Sequence, residues 1–313
     1  MGAVTTASPD PVTAVSHADV AFPAADGTVL RGRCSLPGGA TPATPVPGVV
    51  MAHGFSAVKE MGVLQMADAL VAAGFAVLAY DHRNLGASDG EPRREIDIWA
   101  QARDYRAAFD RLVAEPGVDP DRVALWGSSY SGGEVLVVGA ADRRVAAVVA
   151  QVPFAGLAEQ CPDDHAAAWT TLHDALLAGT RGAPAAPIGP VPVVTAYDGE
   201  AALLGDRESW AWFSAAAPGT RWRNECTLRT DGGPVPFDPG LAAAHLAPTP
   251  LCMIVATDDR VAPSGIALAA FARAGEPKEL VLLDGGHFVP YAGEGFAVAR
   301  DATVAFLRRS LRA

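Results

Sequence analysis

The chain has 313 residues, half of them hydrophobic, which is enough for a sizeable core and long for one domain without an insertion. Its net charge of −11 disfavours binding to nucleic acid or to an anionic membrane, because phosphate recognition needs concentrated Lys and Arg. The four scattered cysteines, the absence of a Sec-type leader and the lack of an apolar run of about 18 residues predict a cytoplasmic protein without metal or cofactor.

The first half of the chain alternates between apolar runs and amphipathic stretches. We expect a loose arm at 1–19 and then a hairpin that turns at Asp26-Gly27. Beyond a Pro-rich connector, the pattern predicts strands at 48–54, 75–83, 122–127 and 145–154, and helices at 59–73, 97–114 and 132–141. Because these strands are apolar on both faces, we predict an α/β fold with a mostly parallel central sheet and helices on both faces.

A segment of about 95 residues, 155–249, interrupts this alternation. It holds four of the six tryptophans, many prolines and two helix-like pieces near 163–178 and 200–217. The alternation resumes with strands at 250–259 and 278–285 and helices at 264–274 and from about 295. An insertion within one sheet explains this better than a second domain, and long insertions commonly serve as lids. The predicted organisation is an arm (1–19), a core in two parts (20–154 and 250–313) and a mainly helical lid (155–249).

The stretch VALWGSSYSGGEV, residues 123–135, places Ser129 at the apex of a sharp turn between a strand and a helix. Such a turn strains the backbone of its apex residue and tolerates only small neighbours, which Gly127, Ser131 and Gly132 provide. The helix that follows aims unpaired N–H groups at whatever lies over the serine. The turn is therefore suited to present a nucleophile.

Partners for a nucleophilic serine stand at the ends of other predicted strands. To act as a nucleophile, a serine hydroxyl needs a base that accepts its proton, an acid that orients this base, and hydrogen-bond donors for the oxyanion that forms. GGHFVPY places His287 after the last strand, and ATDDRVAP places Asp258 and Asp259 after the preceding one. Because neighbouring residues that leave a strand point in opposite directions, only one of these two carboxylates can face the histidine.

From about residue 28 to its end, the chain resembles α/β-hydrolases of the esterase and dienelactone-hydrolase-like group. Four motifs carry the resemblance: HGF at 53–55, YDHRNLGASDGEPR at 80–93, GSSYSGG at 127–133, and DDRVAP at 258–263 with GGHF at 285–288. One departure is Ser131, which stands where the family usually has glycine and is expected to crowd the turn slightly. The inserted segment carries no motif that we can assign, so the resemblance implies nothing about the identity of the substrate.

The resemblance implies roles for individual residues. Ser129 would be the nucleophile, His287 the general base and then acid, and Asp259 the residue that orients His287. Asp259 is selected over Asp258 because the family's acid stands four residues before a loop proline, here Pro263. Asp258 is then expected to bind backbone N–H groups of its loop. The oxyanion hole would consist of the backbone N–H groups of Phe55 and Tyr130.

Four further side chains are candidates for the substrate pocket: His53, Trp169, Trp210 and Trp212. A structural role at a strand end explains His53 equally well, and packing inside the lid explains the tryptophans. No metal ligands or cofactor-binding residues are predicted. The expected partner is a small-molecule acyl substrate, with no nucleic acid and no membrane, and a homodimer is left open beside a monomer.

The predicted function is that of a serine hydrolase, which cleaves a carboxylic ester, lactone or thioester of a small apolar substrate through an acyl-enzyme. An acyltransferase or cyclase on the same fold, using a nucleophile other than water, is the first alternative. A non-catalytic hydrolase-fold binding protein is the second, and the complete Ser-His-Asp set argues against it.

Overall fold

The computed structural model describes residues 14–158, 164–183, 185–196 and 201–312. Its strands are β1 (Ser16–Pro23), β2 (Val29–Leu36), β3 (Val46–Ala52), β4 (Ala76–Asp81), β5 (Glu95–Ile96), β6 (Val118–Ser128), β7 (Ala147–Gln151), β8 (Ile188–Val191), β9 (Cys226–Leu228), β10 (Leu251–Ala256) and β11 (Lys278–Leu283). Its helices are α1 (Val63–Ala72), α2 (Ile98–Val113), α3 (Tyr130–Ala141), α4 (His165–Ala178), α5 (Arg207–Ala216), α6 (Pro239–Ala243), α7 (Ser264–Arg273) and α8 (Gly293–Ser310), with one 3₁₀ turn at Val289–Tyr291.

Eight of these strands form one sheet in the order β1-β2-β4-β3-β6-β7-β10-β11. The hairpin β1–β2 and the pair β2–β4 are antiparallel, and every other pair in this sheet is parallel. The mostly parallel sheet expected from the sequence is confirmed. The predicted arm is too long at its C-terminal end, because β1 already begins at Ser16; residues 1–13 lie outside the described part of the chain.

Both faces of the central part of the sheet are buried. Along β3, Val49 and Met51 pack into a cluster with α1 and α8, whereas Val50 and Ala52 face a second cluster with α2, α3 and α7. All four side chains are fully buried. Burying one Val or Met side chain contributes roughly 1.5–3 kcal/mol, so strands that are apolar on both faces strongly favour a covered, central position. None of the described helices has the length and apolarity needed to cross a membrane.

The carboxyl ends of the central parallel strands meet along one edge of the sheet. β3 is followed directly by His53, β6 by Ser129, and β11 by the loop that carries His287. Asp259 stands three residues beyond the end of β10. Open α/β sheets bind ligands at this edge, because the loops that leave parallel strands converge there.

Only part of the inserted segment 155–249 covers that edge. Helices α4 and α6 both pack against α3, so they extend the helical layer on one face of the sheet. Helix α5 instead places Phe213 in a third apolar cluster, together with the loop that follows β3. The segment also holds the strands β8 and β9, which join β5 in a small sheet of order β5-β9-β8. The sequence did not predict this sheet, because strands of two to four residues carry no readable period.

Candidate active site

Ser129 occupies the junction between β6 and α3. Its backbone has φ 61° and ψ −117°, a region in which a residue with a side chain is strained. The turn is tight, because a Cβ atom on Gly127 would lie 2.2 Å from the carbonyl oxygen of Ser131. Gly127 is therefore required by space at this point, and the turn holds the Ser129 side chain clear of its own strand.

Ser131, the departure from the family's usual glycine, is accommodated by hydrogen bonds. Its Oγ accepts from the backbone N–H of Ser128 at 2.8 Å and donates to the carbonyl oxygen of Ala52 at 2.9 Å. The side chain is fully buried, so both bonds are shielded from water. The additional hydroxyl thereby ties the turn to the end of β3.

A continuous chain of hydrogen bonds joins Ser129, His287 and Asp259. His287 Nε2 lies 2.9 Å from Ser129 Oγ, and His287 Nδ1 lies 2.7 Å from Asp259 Oδ2. Because a carboxylate can only accept, Nδ1 carries the proton and Nε2 is left to accept from the serine hydroxyl. Both His287 and Asp259 are buried, whereas Ser129 is partly exposed to the cavity above it.

The two adjacent aspartates differ in their surroundings. Asp258 is exposed, and Asp259 is buried. The second carboxylate oxygen of Asp259, Oδ1, accepts from the backbone N–H groups of Val261 at 3.0 Å and Ala262 at 2.8 Å. The expectation that Asp258 binds the N–H groups of this loop is therefore wrong. Asp259 does so with one oxygen while it faces His287 with the other.

The loop after β3 approaches Ser129 closely. A Cβ atom on Gly54 would lie 3.1 Å from the Cβ of Ser129 and 3.6 Å from its Oγ, so the backbone here leaves little space for a side chain. The N–H groups of Phe55 and Tyr130 donate to no other group in the described part of the chain. Tyr130 is the first residue of α3, where the backbone N–H has no partner within the helix. Two backbone donors in the segments next to Ser129 are thus left without a partner among the described residues.

Ser129 and His287 lie at the wall of a cavity of about 430 Å³. Its lining is dominated by apolar groups, including the aromatic side chains of Phe55, Tyr130, Phe154, Trp212, Phe213 and Phe288. Trp212 of α5 stacks on Phe288, with ring centroids 5.0 Å apart and an interplanar angle of 20°. The cavity has the size of a small-molecule site and offers few polar partners beyond the serine, the histidine and backbone groups.

The family model described as the alpha/beta hydrolase family matches residues 49–300. The chain belongs to this family. The thiohydrolase aneE of Aspergillus aculeatus is 32% identical over 303 residues, which cover 94% of this chain and 93% of the relative. The polyketide transferase af380 of Aspergillus fumigatus is 28% identical over 305 residues, which cover 95% of this chain and 99% of the relative. A solved structure of DcsB in complex with its substrate analogue superposes with a TM-score of 0.75 and 27% identity, covering 95% of this chain and 100% of that one.

His53, a candidate pocket residue from the sequence, lies beneath the cavity and does not line it. Its ring is fully buried, with Nδ1 donating to the carbonyl oxygen of Gly54 at 2.9 Å and Nε2 accepting from the backbone N–H of His82 at 3.2 Å. Burial lowers the pKa of His53, although the nearby Asp81 opposes this shift. His53 is thus a neutral structural residue of this hydrolase fold that supports the loop after β3.

Two of the three candidate tryptophans also lie outside the cavity. Trp169 on α4 stacks flat against the ring of His245, with centroids 5.0 Å apart, in the part of the insertion that packs on α3. Trp210 lies on α5, is 37% exposed and does not line the cavity. Trp212, two residues further along the same helix, lines the cavity. Composition alone could not reveal which face of each helix is turned inward.

A hydrogen-bond network behind the serine was missed from the sequence. Ser128 Oγ lies 2.6 Å from the hydroxyl of Tyr291 and accepts from Gln151 Nε2 at 3.1 Å. Burial raises the pKa of Tyr291, so its hydroxyl stays protonated. The network ties the 3₁₀ turn after His287 to the turn that carries Ser129. The only sequence signal is the position of Tyr291 four residues after His287.

Glu134 on α3 is a second group that sequence reasoning missed. It is fully buried, and its Oε2 lies 3.3 Å from Nε2 of His82. Neither carboxyl oxygen has a hydrogen-bond partner among the described residues. Burial raises the pKa of Glu134 well above its usual value and lowers that of His82 well below. Both groups are therefore neutral, and neither of them lines the cavity beside Ser129.

The loop after β3 is anchored at its far end by Asp81. The carboxylate of Asp81 accepts from the backbone N–H of Lys59 at 2.8 Å and from its Nζ at 2.7 Å. Asp81 is fully buried, so this pair is little screened by solvent. In the described ranges we find no group of three or more His, Cys, Asp or Glu side chains placed to hold a metal ion.

Proposed function

We propose that this chain is a serine hydrolase that cleaves a carboxylic ester, lactone or thioester of a small apolar substrate through an acyl-enzyme. The observation that supports this best is the hydrogen-bond chain from Asp259 through His287 to Ser129 at the wall of an apolar cavity. The thiohydrolase relative supports a thioester as one of the substrate classes. The sequence-based expectations of a cytoplasmic location and of a homodimer remain predictions.

In the proposed reaction, Ser129 Oγ attacks the carbonyl carbon of the substrate while His287 Nε2 accepts its proton. The N–H groups of Phe55 and Tyr130 then donate to the oxyanion, which forms beside Ser129. Asp259 keeps the proton on Nδ1 of His287 before attack and stabilises the imidazolium afterwards. The imidazolium protonates the leaving group, and water activated by the same histidine releases the acyl group.

We further propose that part of the inserted segment acts as a lid that selects the acyl group. Trp212 and Phe213 of α5 line the cavity wall opposite the core, and Leu203, Leu204 and Leu228 extend it. These side chains offer only apolar contacts, so the acyl group is expected to be apolar. Helix α4 has no part in this proposal, because it packs on the helical layer rather than over Ser129.

Acyl transfer to an alcohol or amine is the second candidate. The polyketide transferase relative favours it, and so does a mainly apolar cavity, which disfavours water as the acceptor. The chemistry up to the acyl-enzyme is the same in both cases. Analysis of the products from a thioester, with and without added alcohols and amines, separates them, since hydrolysis gives only the free acid.

Active-site labelling tests the common step. A fluorophosphonate probe should modify Ser129 alone, as located by mass spectrometry of peptides. Ser129→Ala should abolish labelling and lower turnover by about 10⁶-fold, since the nucleophile and its base act as a unit. Ser128→Ala is the matched control, because it leaves Ser129 and His287 in place and should retain the label. Labelling of Ser128 or Ser131 in the wild-type protein would contradict the proposal.

A further inference from the structure

A carboxylate on helix α5 holds the loop that carries His287. Glu208, in the first turn of α5, accepts a hydrogen bond from the backbone N–H of Phe288, with 3.1 Å between its Oε1 and the nitrogen. Phe288 directly follows His287 in the chain. The inserted segment is therefore bonded to the backbone of the active-site loop one residue away from the proposed catalytic base.

The residue before His287 leaves space for this carboxylate. A Cβ atom on Gly286 would lie 2.7 Å from the Cδ of Glu208 and closer still to both of its carboxylate oxygens. The backbone of Gly286 does not have a positive φ, in contrast to that of Gly285, whose φ is 127°. Glycine at position 286 thus serves space rather than backbone conformation, and a larger residue there would displace the Glu208 carboxylate.

The same helix contacts this loop a second time, one turn further along. Trp212 stacks on Phe288, and its ring centroid also lies 5.0 Å from that of Tyr291. Trp212 lines the cavity above the serine, which we call the substrate cavity, whereas Glu208 does not line it. Helix α5 therefore forms part of the cavity wall with one turn and holds the loop of the base with the turn before it.

The stability of helix α5 alone does not explain where this carboxylate lies. An acidic side chain in the first turn of a helix is favourable in many orientations, and Asp206 already caps α5 by accepting from the N–H of Ser209 at 2.8 Å. Glu208 instead reaches out of its own helix to an N–H group of another segment. Because this bond is exposed to solvent, it can open without leaving a buried group unpaired.

We propose that Glu208 is a positioning residue, whose bond to the N–H of Phe288 fixes the loop of His287 against α5 and thereby aligns the base with Ser129. This proposal rests on the proposed function, since Glu208 acts through His287. The Ser129 and Asp259 side chains hold only the ring of His287, so the position of its backbone depends on the loop. Because a displacement of 1 Å at a reacting group can cost about 10²-fold in rate, a loosened loop is expected to lower kcat.

Steady-state kinetics with a p-nitrophenyl ester and the rate of fluorophosphonate labelling test the proposal together. Glu208→Ala should lower both kcat and the labelling rate by about tenfold and leave KM within about twofold, because Glu208 does not line the substrate cavity. Glu208→Gln keeps an acceptor oxygen for the N–H of Phe288, so its kcat should stay within about threefold of the wild type. The matched control is Glu294→Ala, because Glu294 is likewise exposed in the first turn of a helix, α8, but is not the acceptor of this N–H group. Thermal unfolding verifies that each variant is folded.

A second substitution disturbs the same bond from the side of the loop. Gly286→Ala should displace the Glu208 carboxylate and lower kcat by a similar factor. Added to Glu208→Ala, the same change should cause little further loss, because the carboxylate that occupies the space is then absent. The comparison of the two single variants with the double variant therefore separates loss of this bond from general damage to the loop.

Equal kcat and labelling rates in the wild type and in Glu208→Ala would overturn the proposal. So would a loss in Glu208→Gln or in the Glu294→Ala control as large as that in Glu208→Ala, since either would show an effect of charge rather than of this hydrogen bond. A change confined to KM, or fully additive losses in the double variant, would also overturn it. Failure of the proposed function is recognised separately, because the wild-type protein would then neither be labelled at Ser129 nor turn over the ester.

Discussion

Replacing Asp259 with asparagine tests how His287 is prepared for catalysis. The carboxylate has two different tasks: Oδ2 accepts from His287 Nδ1, and Oδ1 accepts from the N–H groups of Val261 and Ala262. An amide has only one acceptor oxygen. If that oxygen stays with the loop N–H groups, the NH₂ group faces His287 and its Nδ1 must become an acceptor. The proton then moves to Nε2, which can no longer accept from Ser129.

The expected loss follows from this tautomer. The same substitution in serine proteases leaves the geometry intact and lowers kcat by about 10⁴. That factor corresponds to roughly 5.5 kcal/mol of lost transition-state stabilisation. In the other rotamer, the amide oxygen faces His287 and the proton stays on Nδ1. The NH₂ group then faces the two backbone donors of the loop, at a cost of roughly 1–3 kcal/mol for each buried group left unpaired. Steady-state kinetics with a p-nitrophenyl ester measures the loss of kcat that the first rotamer predicts. Thermal unfolding measures the loss of stability that the other rotamer predicts.

Asp258→Asn provides the matched control for Asp259→Asn. The two residues are adjacent, the chemical change is identical, and Asp258 is exposed. Its variant should retain kcat/KM within about threefold, as expected for a surface change away from the reacting atoms. A severe loss of turnover in folded Asp258→Asn, with near-normal activity in Asp259→Asn, would refute the assignment of the orienting carboxylate.

Three further substitutions test the cavity, the turn and the buried acid. Trp212→Ala should shift selectivity toward bulkier acyl groups by roughly tenfold in a p-nitrophenyl ester series, whereas Trp210→Ala on the same helix should not. Ser131→Ala should lower the free energy of unfolding in urea by about 1–3 kcal/mol, because it leaves the buried N–H of Ser128 unpaired; an unchanged midpoint would argue against this bond. Burial keeps Glu134 protonated in the folded state, whereas the unfolded group ionises near 4.5, so wild-type stability is complete below that pH and falls as the pH rises. Relative to Glu134→Gln, the wild type should lose stability as the pH rises above this value, and parallel stability curves for the two proteins would contradict this.

Much of the fold and of the candidate site could be predicted because both depend on strand order. Apolar strands that alternate with amphipathic helices specify a covered parallel sheet, and the sheet brings the ends of its strands together. Ser129, Asp259 and His287 were therefore predictable as neighbours, although 158 residues separate the first from the last. The small residue at position 127 followed from the same turn, since close backbone approach there leaves no space for a side chain.

The details that the sequence did not predict depend on contacts between distant or very short segments. β5 has two residues and pairs with β9, about 130 positions later, so no local pattern marks either strand. The inward face of α5 is set by packing against Phe288, which favours Trp212 over Trp210. To predict that Asp259 rather than Asp258 accepts from the loop N–H groups, one must know which of the two carboxylates points inward. The alternation of side chains along a strand shows only that the two point in different directions.

The segment 55–58 separates the substrate cavity from a smaller cavity that Ser56 and Val58 line, and both ends of the segment are held in place. Gly54 is held against Ser129, and Lys59 is held by Asp81 through its backbone and its side chain. Because both ends are held, a group that contacts Ser56 acts on a short segment that also carries the backbone N–H of Phe55. If the N–H of Phe55 donates to the oxyanion as proposed, contacts on the far side of this segment would affect the alignment of that donor. Binding energy collected far from the scissile bond would then be expressed as a higher kcat rather than as a lower KM.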